Sequence, residues 1–120
     1  MASAADVIAI ARTQIGPQEQ AGPNSTKYGI WYGLNPDPWC SMFLAWCGDQ
    51  AARAQALATH ATTAVNPFGD DQNPKGFAFT PSWADFFRQH NEFTATSAGI
   101  QTGDIVFFDK VGANRISHVG

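Results

Sequence analysis

Charged side chains are scarce in this sequence. Seven Lys and Arg and ten Asp and Glu among 120 residues give a net charge of -3, with no basic cluster. Nucleic acids and anionic membranes are usually bound through such clusters, so we expect neither partner. The chain also lacks any apolar run near the roughly 20 residues that a membrane span needs. Apolar residues still form 44% of the chain, enough for the core of one domain over residues 1–120.

A secretory signal and a disulfide framework are also missing. The N-terminus has no positively charged segment, and Asp6 interrupts its apolar stretch, so we expect synthesis in the cytoplasm without a signal peptide. The two cysteines are Cys40 and Cys47. If they lie on one helix, their Cα atoms are about 10 Å apart, which is too far for a disulfide. We therefore expect two free thiols.

The first third of the chain alternates helical and irregular patterns. Residues 3–6 have the pattern of a capping box ahead of a helix. Residues 17–38 contain turn-forming residues and aromatics with no sustained period, which predicts a long loop. Asp37 as N-cap and Pro38 as first helical residue predict a second, buried helix. Cys40 then lies in the first turn of that helix.

The remaining patterns place one more helix before two strands. Turn residues over 59–75 predict a loop, and Thr80-Pro81-Ser82 begins a third helix with an aromatic side. Residues 104–109 and 116–120 have the composition of strands, joined by a turn at 112–114. Helices first and strands last predict an α+β domain.

Cys40 and His118 are the residues best suited to nucleophilic chemistry. The partial positive charge and unpaired N–H groups at a helix N-terminus favour a thiolate, and the Cys40 N–H could stabilise an oxyanion. A histidine on a strand packed across the helix tip could take the thiol proton and return it to a leaving amine. The alternatives are a buried structural Cys40 and a core or surface His118. Cys47 fits the buried role, and we expect His60 and His90 to be structural or solvated.

Several motifs follow one another in order along the chain. They are Asn24-Ser25-Thr26-Lys27-Tyr28-Gly29, Trp31-Tyr32-Gly33, Pro38-Trp39-Cys40-Ser41-Met42-Phe43, Trp46-Cys47, Gly103-Asp104-Ile105-Val106-Phe107-Phe108-Asp109 and Ser117-His118-Val119-Gly120. In this combination the sequence resembles the CHAP family of cysteine, histidine-dependent amidohydrolases/peptidases, which includes many phage endolysins. The resemblance implies a papain-like fold with Cys40 as nucleophile and His118 as general base. We expect no cofactor. The resemblance further implies cleavage of peptidoglycan amide bonds, at the muramoyl-alanine amide or within the peptide stem or crossbridge, after holin-type release to the cell wall.

Three neighbours of Cys40 are expected to contribute to oxyanion stabilisation or substrate binding: Tyr28, Ser41 and Trp39. Related cell-wall cysteine peptidases carry a tyrosine at a comparable distance before the nucleophile, so the Tyr28 hydroxyl could donate to the oxyanion. Packing of the long loop is an equal alternative for Tyr28. Trp39, with Trp31 and Tyr32, either lines a groove for the glycopeptide or closes the core.

The chain departs from the family pattern after His118. The resemblance implies a third polar residue on a later strand that orients the histidine, and the sequence ends two residues after His118. Asp104 and Asp109 are the nearest acids, and pairing of Asp109 with Ile116 would place Phe107 opposite His118. We therefore expect a sheet that is incomplete at its C-terminal side and weak or no activity of these residues alone. A C-terminal segment or a second chain would complete the sheet.

The sequence leaves one other function open and gives less support to two kinds of metal site. A non-catalytic wall-binding or assembly module could keep the fold and use the aromatic loop as its contact surface. A metal protein using Cys40, Cys47 and a histidine is less favoured, since no close pair supplies a tetrahedral ligand set. Some CHAP proteins bind calcium, but the spacing of Asp70, Asp71 and Asn73 matches no complete ligand set, so we predict no metal.

Overall fold

Four helices precede a two-stranded hairpin in the computed structural model, which describes residues 1–110, 112 and 115–120. In chain order the elements are α1 (Ala4–Arg12), α2 (Lys27–Tyr32), α3 (Cys40–Ala58), α4 (Thr80–Gln89), β1 (Phe107–Phe108) and β2 (His118–Val119). Helices followed by an antiparallel pair of strands confirm the α+β class at this coarse level. The turn predicted at 112–114 includes Ala113 and Asn114, which lie outside the described residues.

Helix α1 begins with the predicted capping box. The Ser3 hydroxyl accepts from the Asp6 N–H at 3.2 Å, and the Asp6 carboxylate accepts from the Ser3 N–H at 2.8 Å. These reciprocal bonds satisfy N–H groups that have no partner within the helix. Val7 is buried on this helix and joins Cys47 and Ala51 of α3 in the main apolar cluster.

Helix α2 lies within the segment that was predicted to be a loop, so that prediction was wrong for residues 27–32. Thr26 caps the helix by accepting from the Gly29 N–H at 3.1 Å. Gly33 ends it in the left-handed conformation with φ of 104°. A helix of six residues is too short to show a hydrophobic period in the sequence, which is why the pattern did not reveal it.

Helix α3 is the central element and packs against α1, α2 and β2. It begins at Cys40 with Trp39 as N-cap, so the prediction that Asp37 and Pro38 start the helix was wrong by two residues. Small side chains dominate its buried face, which lets the neighbouring segments approach closely: Ser41, Ala45, Gly48, Ala51 and Ala52. None of the helices in the described part of the chain is long and apolar enough to cross a membrane.

Helix α4 attaches to the hairpin through Trp83. The Trp83 side chain is 1% exposed, and its ring lies 5.4 Å from Phe68, 6.1 Å from Phe87 and 6.2 Å from Phe107 between centroids. Phe68 belongs to the loop after α3 and Phe107 to β1. One aromatic cluster therefore joins the loop, α4 and the sheet.

The hairpin differs from the predicted pairing by one residue. Phe107 pairs with Val119 and Phe108 pairs with His118, whereas the sequence was expected to place Phe107 opposite His118. Successive side chains of a strand alternate between the two faces of the sheet. The shift therefore places Phe108, and not Phe107, beside the histidine ring. Backbone bonds between Val106 and Gly120, at 2.8 and 2.9 Å, extend the pairing by one residue beyond the regular strands.

Candidate functional site

Cys40 is the first residue of α3. The backbone N–H groups in the first turn of a helix have no hydrogen-bond partner within that helix. The first bond of the helical ladder runs from the Phe43 N–H to the Trp39 carbonyl at 2.8 Å. The N-cap residue Trp39 makes no capping hydrogen bond, so its side chain satisfies none of the N–H groups of the first turn. The thiol of Cys40 is half-buried at this end of the helix dipole.

A cavity of about 300 Å³ lies beside Cys40. Its walls come from the segments around the starts of α3 and α4 and from the residues before β2: Pro38, Phe79, Thr80, Arg115, Ile116 and Ser117. Phe79 is 67% exposed, so one wall is an accessible apolar surface, and Arg115 adds a cation. The cavity is within the size range of small-ligand sites in proteins.

The thiol belongs to a small polar network with two hydroxyl groups. Cys40 Sγ lies 3.4 Å from Thr80 Oγ1, and Ser41 Oγ lies 2.6 Å from the same Thr80 atom. Ser41 is fully buried, so its hydroxyl faces Thr80 rather than the cavity surface. The expected role of Ser41 in oxyanion or substrate contact is therefore confined to its backbone N–H in the first turn of α3.

His118 lies on β2, which packs against α3, and the half-buried ring is 5.7 Å from the Phe108 ring. Among the described residues, no hydrogen bond joins this ring to the Cys40 thiol. Burial lowers the pKa of His118 below its ordinary value of 6.5, and the nearby Lys110 ammonium lowers it further. The neutral imidazole is therefore favoured, which is the form that accepts a proton.

The two acids nearest to His118 in sequence are engaged in local turns. The Asp104 carboxylate accepts from the Gln101 N–H at 2.8 Å, and the Asp109 carboxylate accepts from the Arg115 N–H at 3.2 Å. Each bond lies within the carboxylate's own chain segment. The Lys110 ammonium, on the same hairpin, contributes to lowering the pKa of His118.

Tyr28 lies in the core beneath α3, with its ring fully buried. Its hydroxyl is 2.9 Å from the side-chain carbonyls of both Gln14 and Gln18. Burial, with a smaller contribution from Cys47, raises the pKa of Tyr28 to about 12. The hydroxyl is thus held by these glutamines, and its expected contact with an oxyanion at Cys40 would require it to leave them.

Trp39 packs on Tyr28 at 5.5 Å between ring centroids and donates its indole N–H to Glu19 at 3.1 Å. Trp39 is half-buried, so its ring closes the core against Tyr28 and stays partly accessible to solvent. Trp31 and Tyr32 contact each other at 6.0 Å between centroids on α2. The structure therefore brings Trp39 and Tyr28 together in one aromatic cluster. Cys40 and Ser41 instead contact Thr80 through polar atoms.

In the segment that was considered as a calcium loop, the Asp70 carboxylate makes hydrogen bonds within the loop itself. The Asp70 carboxylate accepts from the backbone N–H groups of Gln72 and Asn73 at 2.8 and 2.6 Å. This arrangement is an Asx turn, which stabilises the loop without a metal. Across the residues that the structure describes, no group of three or more His, Cys, Asp or Glu side chains could hold a metal ion.

Thr80 is the site residue that sequence reasoning missed. A threonine before proline at a helix start is typical of an N-cap, so no sequence pattern relates Thr80 to Cys40. The structure instead has Phe79 at the N-cap and turns the Thr80 hydroxyl towards α3. Only the tertiary structure, which brings the start of α4 to the start of α3, shows this contact.

No protein-family model matches this sequence, and neither a curated protein nor a solved structure is similar to the chain. The resemblance to the CHAP family therefore rests on the sequence motifs alone.

Proposed function

We propose that this chain is the core of a papain-like cysteine hydrolase that cleaves amide bonds of bacterial peptidoglycan, with Cys40 as nucleophile and His118 as general base. The observation that carries the proposal is the position of Cys40 as first residue of α3, with its thiol beside a cavity of about 300 Å³. The CHAP-like motifs around both residues support the same reaction class.

The packing of α3 against β2 supports the choice of His118 as base. Both elements of the pair meet in the fold, and the lowered pKa of His118 favours the neutral ring that a base requires. The ring and the thiol share no hydrogen bond here, and catalytic bonds in ligand-free structures often tighten only when substrate binds. The proposal therefore requires His118 to approach Cys40 in the substrate complex.

The proposed reaction proceeds through a thioester. His118 takes the Cys40 proton while the sulfur bonds to the carbonyl carbon of the scissile amide, and the Cys40 N–H donates to the resulting oxyanion. The C–N bond then breaks as His118 returns the proton to the leaving amine. Water, deprotonated by His118, attacks the thioester and releases the carboxylic acid. The proton on His118 then returns to the sulfur.

Lysis of purified cell walls tests this proposal. We expect this chain alone to lower the turbidity of a wall suspension only weakly, with release of new amino groups, and Cys40→Ala to do neither, because the nucleophile is gone. Cys47→Ala is the matched control, since it removes the other thiol and leaves Cys40 in place. Mass spectrometry of the released fragments distinguishes the muramoyl-alanine amide from bonds in the stem or crossbridge. Equal lysis by wild type and Cys40→Ala would sink the catalytic role.

A non-catalytic wall-binding module is the second candidate, and exposed apolar side chains on and after α2 favour it. Ile30 is 68% exposed, and Leu34 is also exposed at the end of the same segment. Such side chains can form a contact surface for a polymer. Retention of the chain on insoluble peptidoglycan without release of amino groups would support this function, and Ile30→Ser would then weaken retention.

A further inference from the structure

The Thr80 hydroxyl joins the starts of two helices at the proposed nucleophile. Thr80 is the first residue of α4 and is only 5% exposed. Its Oγ1 lies 3.4 Å from Cys40 Sγ and 2.6 Å from Ser41 Oγ. Both partners belong to the first turn of α3, so a single buried hydroxyl contacts the thiol and its neighbouring side chain.

The direction of this hydroxyl departs from the usual role of threonine at a helix start. A threonine there commonly accepts a hydrogen bond from an N–H of its own helix. On α4 the N-cap is Phe79, no side chain caps the helix, and Thr80 Oγ1 faces α3 instead. The β-branched side chain has few rotamers, so this direction is well defined. Thr80 therefore uses its hydroxyl for contacts to α3 and not within its own helix.

The protons available to the network depend on the state of the sulfur. A thiol can donate to Thr80, which then donates to Ser41. A thiolate has no proton, so Thr80 must donate to the sulfur, and Ser41 can donate to Thr80 in turn. Rotation of two hydroxyl groups converts one arrangement into the other without moving any heavy atom. Hydrogen bonds to an ionised acceptor are the stronger ones, so the second arrangement favours the thiolate.

We propose that Thr80 is a positioning residue that orients Cys40 Sγ and stabilises its thiolate through a hydroxyl relay from Ser41. The inference rests on the proposed function for the use of the thiolate as nucleophile, but the contact itself can be tested without peptidoglycan. Among the described residues, Arg115 lines the same cavity as the thiol, and His118 lies on β2, which packs against α3. They remain unchanged in the variants below.

A purely structural contact between α3 and α4 is the alternative role for the network. The bond between Ser41 and Thr80 could hold the two helix starts together without any effect on the sulfur. In that case removal of either hydroxyl would lower the free energy of unfolding and leave the reactivity of Cys40 unchanged. Stability and thiol reactivity therefore have to be measured on the same variants.

The rate of Cys40 alkylation by iodoacetamide in the native protein is the decisive measurement, with the modified peptide identified by mass spectrometry. Thr80→Val keeps the shape and removes the hydroxyl. Loss of a hydrogen bond to a charged group reduces the thiolate population about tenfold. The remaining thiolate is more nucleophilic, so the alkylation rate falls about threefold at neutral pH. Thr80→Ser restores the hydroxyl and should restore the rate, and Ser41→Ala should give an intermediate rate.

Equal alkylation rates for wild type, Thr80→Val and Thr80→Ser would overturn the proposal and leave the structural contact. If Thr80→Val does not fold, the Ser41→Ala variant tests the proposal, because it keeps Thr80 in place. A wild-type rate of Cys40 alkylation in Ser41→Ala would overturn the relay. Cys47 does not confuse the signal, since it is fully buried. Alkylation needs no wall substrate. If lysis fails while the Thr80 variants show the expected alkylation rates, only the hydrolase function is rejected, and the proposed role of Thr80 stands.

Discussion

At the scale of single residues, burial separates the two cysteines into different chemical roles. Cys47 is fully buried, and burial raises its pKa to about 12, with Lys27 only partly opposing the effect. It therefore remains a thiol at neutral pH, which agrees with the buried role predicted from its place on the helix. Cys40 is half-buried at a cavity, so it is the thiol that a substrate can reach.

His118 gives the titration prediction at this scale. We expect its ring to titrate below the ordinary value of 6.5, because burial and Lys110 disfavour the imidazolium. The unfolded chain then binds the proton first as pH falls below 6.5, so the histidine's contribution to folding stability is present above that pH and declines below it. Ring proton shifts in an NMR titration measure the midpoint.

His118→Gln is the matched control for the stability part, since it should remove that decline from the unfolding free energy. A titration midpoint above 6.5 would contradict the prediction. It would indicate that an anion, such as a Cys40 thiolate, stabilises the imidazolium. That stabilisation would have to exceed the opposing effects of burial and of Lys110.

At the scale of elements, the loop after α3 packs closely against that helix. Asn66 is buried beside α3 and donates to the Ala45 carbonyl at 2.8 Å, and its own carbonyl accepts from the Phe68 N–H at 3.0 Å. Gly48 lies where a β-carbon would contact the Asn66 carbonyl and would meet Phe68 at 2.8 Å. The absence of a side chain at position 48 therefore lets the loop pack on the helix.

Gly48→Ala should destabilise the fold, although alanine is the better helix former. Helix propensity alone favours alanine by about 1 kcal/mol. The collision with Asn66 and Phe68 should outweigh that gain and give a net loss of about 1–3 kcal/mol in urea unfolding. Ala54→Gly, exposed on the same helix, calibrates the propensity and should lose about 1 kcal/mol. A more stable Gly48→Ala would show that the loop is not packed as described.

At the scale of the whole molecule, two clusters of buried apolar and aromatic side chains meet at Phe68. One contains Val7 and Cys47 and fixes α1 to α3. The other surrounds Trp83 and fixes α4 to the loop and to β1. The position of the hairpin relative to the start of α3, and with it the distance between His118 and Cys40, therefore depends on the Trp83 cluster.

Trp83→Ala should lower the free energy of unfolding by about 3–5 kcal/mol, because it leaves a large cavity among the surrounding rings. Urea unfolding followed by circular dichroism measures the loss. Leu57→Ala is the control, since Leu57 is 80% exposed and its removal should change the unfolding free energy by no more than about 0.5 kcal/mol. A loss below about 1 kcal/mol for Trp83→Ala would contradict a central place for this cluster.

Local patterns determined much of this protein from the sequence alone. The capping box at Ser3, the helix with Cys40 in its first turn, the helix at residues 80–89 and the order of helices before strands all follow from signals within a few residues. The candidate pair of Cys40 and His118 also came from the sequence, and it stays a prediction. Short-range hydrogen bonds and helix geometry act locally, so a local pattern can report them.

Only the tertiary structure decided the features that depend on contacts between distant segments. These are the six-residue helix α2, the one-residue shift that places Phe108 beside His118, the glutamines around the Tyr28 hydroxyl and the turning of Thr80 towards Cys40. A hydroxyl, a strand register or a very short helix gains its stability from whichever neighbours the fold supplies. Those neighbours are far apart in the chain, and no pattern within one segment contains them.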